Sequence, residues 1–80
     1  MEIGTAVRLR IIELCREHEI TINMLATKSG ITQSTLNNII SGRNHSTTIS
    51  TIQKICDGLD IKVYDFFSSS LFEKIEQEVK

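Results

Sequence analysis

The sequence predicts an all-α fold: a compact five-helix bundle containing a helix-turn-helix, followed by a short C-terminal helical tail. Three observations carry the prediction. Apolar residues recur at three- and four-residue spacing through most of the chain, which is the period of a helix with one buried face. Proline is absent and only four glycines occur, so little interrupts helices; a β-sandwich, by contrast, needs many turns. Finally, Thr21 to Gly42 reads as two short helices joined by a tight turn at Gly30.

The first helix is expected over Thr5 to His18. Val7, Ile11 and Leu14 recur at i, i+4 and i+7, and Ile12 and Cys15 widen the stripe. Arg8, Arg10, Glu13, Arg16 and Glu17 are expected on its solvent face. The second helix is expected over Ile22 to Ser29. Thr21 is a natural N-cap, because its hydroxyl can accept from an orphan backbone N–H. Leu25 and Ala26 face inward, and Gly30 can adopt the left-handed conformation that ends the helix.

The third helix opens at the Thr32 cap, runs from Gln33 to about Ser41 and closes at Gly42. Leu36 and Ile39 face the core. A polar loop, Arg43 to Thr47, leads to the Thr48 cap and a fourth helix over Ile49 to Leu59, with Ile49, Ile52, Ile55, Cys56 and Leu59 inward. Asp60 stands at a helix stop where it must tolerate left-handed backbone. A short fifth helix over Val63 to Phe67 buries Val63, Phe66 and Phe67. Residues 1–67 form the domain. Residues 68–80 form a short linker and a final helix, opened by a Ser70–Glu73 capping box and lined on one face by Phe72, Ile75 and Val79.

The third helix is chemically distinctive. Gln33, Ser34, Asn37 and Asn38 give it a polar face without bulk, and no charge occurs from Gln33 to Gly42. An ordinary solvated face carries Glu and Lys, which favour helices more than Asn or Ser do. Amides can pair with an adenine edge, and hydroxyls serve several bases or phosphates. A short helix with such a face suits the DNA major groove. In the loop after it, Arg43 suits phosphate geometry, and His45 is a weaker phosphate candidate, being mostly neutral at pH 7.

The formal net charge is −1, so composition alone does not announce a nucleic-acid binder. Residues 1–45 sum to +1 and residues 46–80 to −2, a slight lean toward the proposed DNA-facing half. Cys15 and Cys56 fall on apolar stripes, without C-x-x-C or H-x-x-H spacing, so buried core thiols are expected rather than a redox switch or metal site. No nucleophile motif surrounds any Ser or Thr, so no enzyme, cofactor or small-molecule ligand is expected. No apolar run approaches the roughly 20 residues of a membrane span, and the absence of a signal peptide points to a cytoplasmic protein with reduced thiols.

In order and spacing, several segments resemble the Cro/repressor-type, XRE-like helix-turn-helix family over about residues 4–67. They are Ile20-Thr21, Leu25-Ala26, Ser29-Gly30-Ile31, Thr35-Leu36 with Ile39, Ser41-Gly42-Arg43, Thr48 to Ile52 with Lys54-Ile55, Leu59 with Ile61, and Phe66-Phe67. The resemblance implies a lambda repressor-like bundle, bacterial or phage-encoded, whose third helix enters the major groove of double-stranded DNA. By position, Gln33, Ser34 and Asn38 would read base edges, with Thr35 and Asn37 beside them. Lys28, Thr32, Ser41, Arg43, Asn44 and His45 would hold the DNA backbone. Ile22 stands where the family usually has Gln, so Asn23 would take over that phosphate contact. Thr47 replaces a frequent proline, and Asp60 a frequent glycine or asparagine.

One small helix-turn-helix unit rarely gives sufficient affinity, and two-fold dimers read half-sites about 34 Å apart. A homodimer held through Leu71, Phe72, Ile75 and Val79 is therefore expected over packing of those residues on the chain's own core. The expected role is a repressor on an operator. The alternatives are an antitoxin-like protein that holds a small protein partner through the C-terminal segment, and a protein-interaction module of the same fold.

Overall fold

The computed structural model describes residues 1–42 and 46–77. Its elements are α1 (Ile3–Glu17), α2 (Ile22–Ser29), α3 (Gln33–Ile40), α4 (Ile49–Leu59) and α5 (Val63–Phe66), followed by a 3₁₀ turn, Ser70–Lys74. No strand occurs among the described residues. The all-helical expectation holds, and α2 and α4 have the bounds expected of them. α1 begins two residues before Thr5, and α3 ends at Ile40 with Ser41 as its cap.

Three threonines start three helices by the same chemistry. The hydroxyls of Thr21, Thr32 and Thr48 each accept from the backbone N–H three residues on, at Met24, Thr35 and Thr51, at 3.1 Å. Two helices stop on left-handed residues, Gly30 (φ +68°) after α2 and Asp60 (φ +57°) after α4. In each the next amide reaches back five residues, Ile31 to Ala26 O and Ile61 to Cys56 O, both at 3.0 Å. These bonds satisfy carbonyls that the helix end would orphan.

The core gathers Val7, Ile11, Leu14, Leu25, Leu36, Ile39, Ile52, Ile55, Leu59 and Phe66, with Cys15, Ala26 and Cys56 filling small spaces. α2 lies most extensively against α4. Gly58 makes that approach possible, because a Cβ there would stand 2.6 Å from Ser29 Oγ and 2.9 Å from the Lys28 carbonyl carbon.

Three apolar or charged assignments are corrected. Arg10, expected in solvent, is only 7% exposed. Its Nε donates to Phe66 O at 2.6 Å, its Nη2 to Asp65 O at 2.8 Å, and its Nη1 to the Glu13 carboxylate. The four-residue α5 leaves its last carbonyls without intrahelical partners, and the planar guanidinium supplies donors for two of them. Ile49 and Val63, expected inside, are exposed. Each is the first residue of its helix, and helical side chains lean toward the N-terminus, so both project past the layer that meets the core.

The tail also differs. Ser69, not Ser70, caps it, accepting from Leu71 N at 3.3 Å, and the segment winds as a 3₁₀ turn before extending at Ile75. No helical Phe72–Ile75 face forms, and Val79 lies outside the described residues. Instead Phe72 joins Phe66 and Phe67, with ring centroids 6.2 and 4.9 Å away. An α-helix so short gains too little from its own hydrogen bonds to dictate the path; aromatic burial decides it.

Candidate nucleic-acid interface

α2 sets the position of α3. Leu25 and Ala26 bury the inner face of α2, Gly30 turns the chain, and Leu36 and Ile39 anchor α3 to the same core. With those two residues buried, the helical period sends Gln33, Ser34, Asn37 and Asn38 outward, and all four are exposed. None of the four side chains bonds to another described residue, so their donors and acceptors face solvent together. Thr35 is exposed at the edge of this face. The structure thus brings all five expected base-contacting residues to one outer side of α3.

The expected backbone contacts divide. Asn23 and Lys28 on α2 join Gln33 around an open cleft of about 340 Å³, together with Met24 and Thr27. Helix 2 therefore presents an amide and a cation next to the first residue of α3, although Ile22 is turned partly into the core. Thr32 and Ser41 are exposed at the two ends of α3. Arg43, Asn44 and His45 lie outside the described residues. Met24 is a cleft residue that sequence reasoning missed. Its signal was its place in α2 beside the inward pair Leu25 and Ala26 but outside their stripe.

Among the described residues, charge at the interface is sparse. Arg10 is committed to α5 and Glu13, so it adds nothing to the outer surface of the first half of the chain. Among the described residues, Lys28 is an exposed cation placed beside Asn23 and Gln33. The two thiols are free and buried, and burial pushes both above the usual thiol range. For Cys56 the carboxylates of Asp57 and Asp65 add to that rise, against an opposing pull from Arg10. Thiols held neutral in a core are poor nucleophiles and poor ligands. Among the described residues no group of three or more His, Cys, Asp or Glu is arranged to hold a metal. None of the described helices is long and apolar enough to cross a membrane.

Of the expected dimer contacts, Leu71, Phe72 and Ile75 are half-buried within this one chain. Phe72 is occupied by the aromatic cluster described above and packs on the chain's own core.

Comparison with known proteins agrees with this architecture. A family model described as the Cro/C1-type HTH DNA-binding domain matches residues 10–69. A solved structure described as the crystal structure of the prophage Lp1 protein 11 superposes with a TM-score of 0.80 at 38% identity, covering 94% of this chain and 100% of that one. No curated protein matches the chain. With three quarters of its length inside the family model and its helix-turn-helix laid out as that family requires, the chain belongs to the Cro/C1-type helix-turn-helix DNA-binding domain family.

Proposed function

We propose that the protein is a sequence-specific transcriptional regulator, a repressor that occupies an operator as a homodimer with α3 in the major groove. The observation that carries this reading is the outer side of α3. Gln33, Ser34, Asn37 and Asn38 are exposed, and their side chains bond to no described residue, while Leu36 and Ile39 lock the helix beneath them. Amides held this way can pair in two places with an adenine edge, and each such pair discriminates by about 1–3 kcal/mol. Lys28 and Asn23 line the same cleft as Gln33, and in this reading they hold a phosphate at the rim of the groove.

Selection of bound duplexes from a random pool tests the reading, with wild type beside Gln33→Ala/Asn38→Ala. The expected result is a motif enriched by wild type and lost by the variant, with two half-sites about 34 Å apart. Failure of wild type to enrich any motif, even at low salt where phosphate attraction is strongest, would refute it.

A second reading gives the same fold a small protein partner. It is favoured by the exposure of Ile49, at 72%, and Tyr64, at 77%, both large side chains outside the DNA-facing side of α3. Co-purification of a small protein with the wild type, lost on Ile49→Ser/Tyr64→Ser, would select it.

A further inference from the structure

The hydroxyls around α3 are not equivalent, and their internal bonds separate them. A DNA phosphate oxygen only accepts, so a hydroxyl can hold one only with its own proton. Thr27 commits its proton to Asn23 O at 3.2 Å, and Ser41 commits its own to Asn38 O at 3.2 Å. Thr32 is committed twice. Its Oγ1 accepts the Thr35 backbone N–H at 3.1 Å and donates its proton to Thr35 Oγ1 at 2.8 Å. Thr35 is left in the opposite condition. Its oxygen already receives a proton from Thr32, while its own proton goes to no described residue.

From this difference we infer that Thr35 is the hydroxyl of α3 that donates to a hydrogen-bond acceptor on DNA, and that Thr32 and Ser41 do not hold the backbone through theirs. The inference rests on the proposed DNA-binding reading and refines it. The chain Thr35 N–H to Thr32 O–H to Thr35 O–H runs in one direction, and each bond polarises the next, which strengthens the outward donor. The β-branched side chain and the bond from Thr32 also fix the rotamer, so little freedom is lost on binding. Ser34 keeps its proton too, but no described residue bonds to its hydroxyl to orient it. The acceptor partner is a phosphate oxygen, or an acceptor atom on a base edge such as guanine N7 or O6 or thymine O4.

The test uses the full chain and the duplex that wild type enriches from the random pool. Thr35→Val keeps the shape and the backbone cap and removes only the hydroxyl. Binding is expected to weaken about tenfold, the loss of one hydrogen bond to a strong acceptor. Thr35→Ser is expected within about twofold of wild type, since a serine hydroxyl can do the same. Melting curves check that both variants are folded at the binding temperature. A second measurement does not depend on a variant's stability. Wild type and Thr35→Val are compared on duplexes carrying one uncharged methylphosphonate, or one base lacking a single acceptor atom, at each position in turn. One substitution is expected to weaken wild type and leave Thr35→Val unchanged; its chemistry identifies the acceptor as phosphate or base.

Wild-type affinity in Thr35→Val overturns the inference. So does a scan in which every substitution weakens the two proteins equally. If Gln33→Ala/Asn38→Ala abolishes binding while Thr35→Val does not, this assignment fails and the reading of α3 stands. If wild type enriches no duplex, both fail.

Discussion

Replacing Arg10 with methionine keeps the apolar stem and deletes every donor that ties α1 to the end of α5. The cost can be worked from the contacts. Phe66 O is held at 2.6 Å by a buried bond, and no other described backbone amide donates to it. Leaving a buried acceptor unpaired costs about 1–3 kcal/mol. Asp65 O, held at 2.8 Å, is only partly buried and also receives the Ser68 amide at 3.2 Å, so its loss is put at about 1 kcal/mol. The Glu13 carboxylate is two-fifths exposed, and its pairing with Arg10 is discounted to nothing because solvent screens it. The sum is about 2–4 kcal/mol, a large part of the roughly 4–12 kcal/mol expected for 80 residues. At about 4–8 °C per kcal/mol for a domain of this size, the melting temperature should fall by at least about 8 °C. Circular dichroism at 222 nm, with a urea titration beside it, measures this. Arg10→Lys, which keeps a charge and loses the planar fork, should fall between the two. A methionine variant that melts within about 3 °C of wild type would refute the argument. So would a change in the salt dependence of DNA binding below the melt, because that would place Arg10 on a phosphate rather than inside the fold.

Other predictions follow from single contacts. Gly58→Ala should destabilise by about 1–2 kcal/mol in a urea titration, since overpacking against the Lys28 backbone outweighs the roughly 1 kcal/mol that alanine contributes to a helix. Asp60→Gly should stabilise by about 0.5 kcal/mol, because glycine occupies φ +57° without the penalty borne by a side chain. The raised thiols predict a pH effect of definite sign. A folded state that keeps protons the unfolded chain has lost is stable below the ordinary thiol range and loses stability as pH rises through and beyond it. Melting temperature from pH 8 to 10 should therefore fall more steeply in wild type than in Cys15→Ala/Cys56→Ala; parallel slopes would contradict it.

What the sequence disclosed was local. Thr21, Thr32 and Thr48 announce three helix starts because a hydroxyl and an amide three residues apart need nothing else to meet. Gly30 and Asp60 announce two stops because the left-handed backbone is a property of a single residue. Leu36 and Ile39 sort the faces of α3 by spacing alone, and this exposes Gln33, Ser34, Asn37 and Asn38. What stayed hidden depends on partners far along the chain. Arg10 stands among charged residues on α1 and reads as surface, because the carbonyls it serves are 55 and 56 positions away. Ile49 and Val63 fit the apolar period but sit at helix starts, where period does not report whether a core lies opposite. Phe72 fits a helical stripe equally well, yet two phenylalanines of the same chain claim it.

The burial of Arg10 also bears on how the protein binds. Counting cations by sequence half gives the N-terminal part a slight positive balance, but a guanidinium locked onto two carbonyls and a glutamate cannot release a counterion from DNA. Among the described residues Lys28 is then the cation beside the exposed amides Asn23 and Gln33. Each phosphate neutralised contributes about one unit to the slope of log affinity against log salt, so Lys28 and the expected phosphate contact Arg43 would together give a slope of only about two units per subunit. Affinity that does not come from phosphates must come from base-edge pairing, from two subunits acting on one duplex, or from both. That places unusual weight on the uncharged side chains of α3, and it makes the direction in which each hydroxyl points its proton a determinant of what the helix can hold.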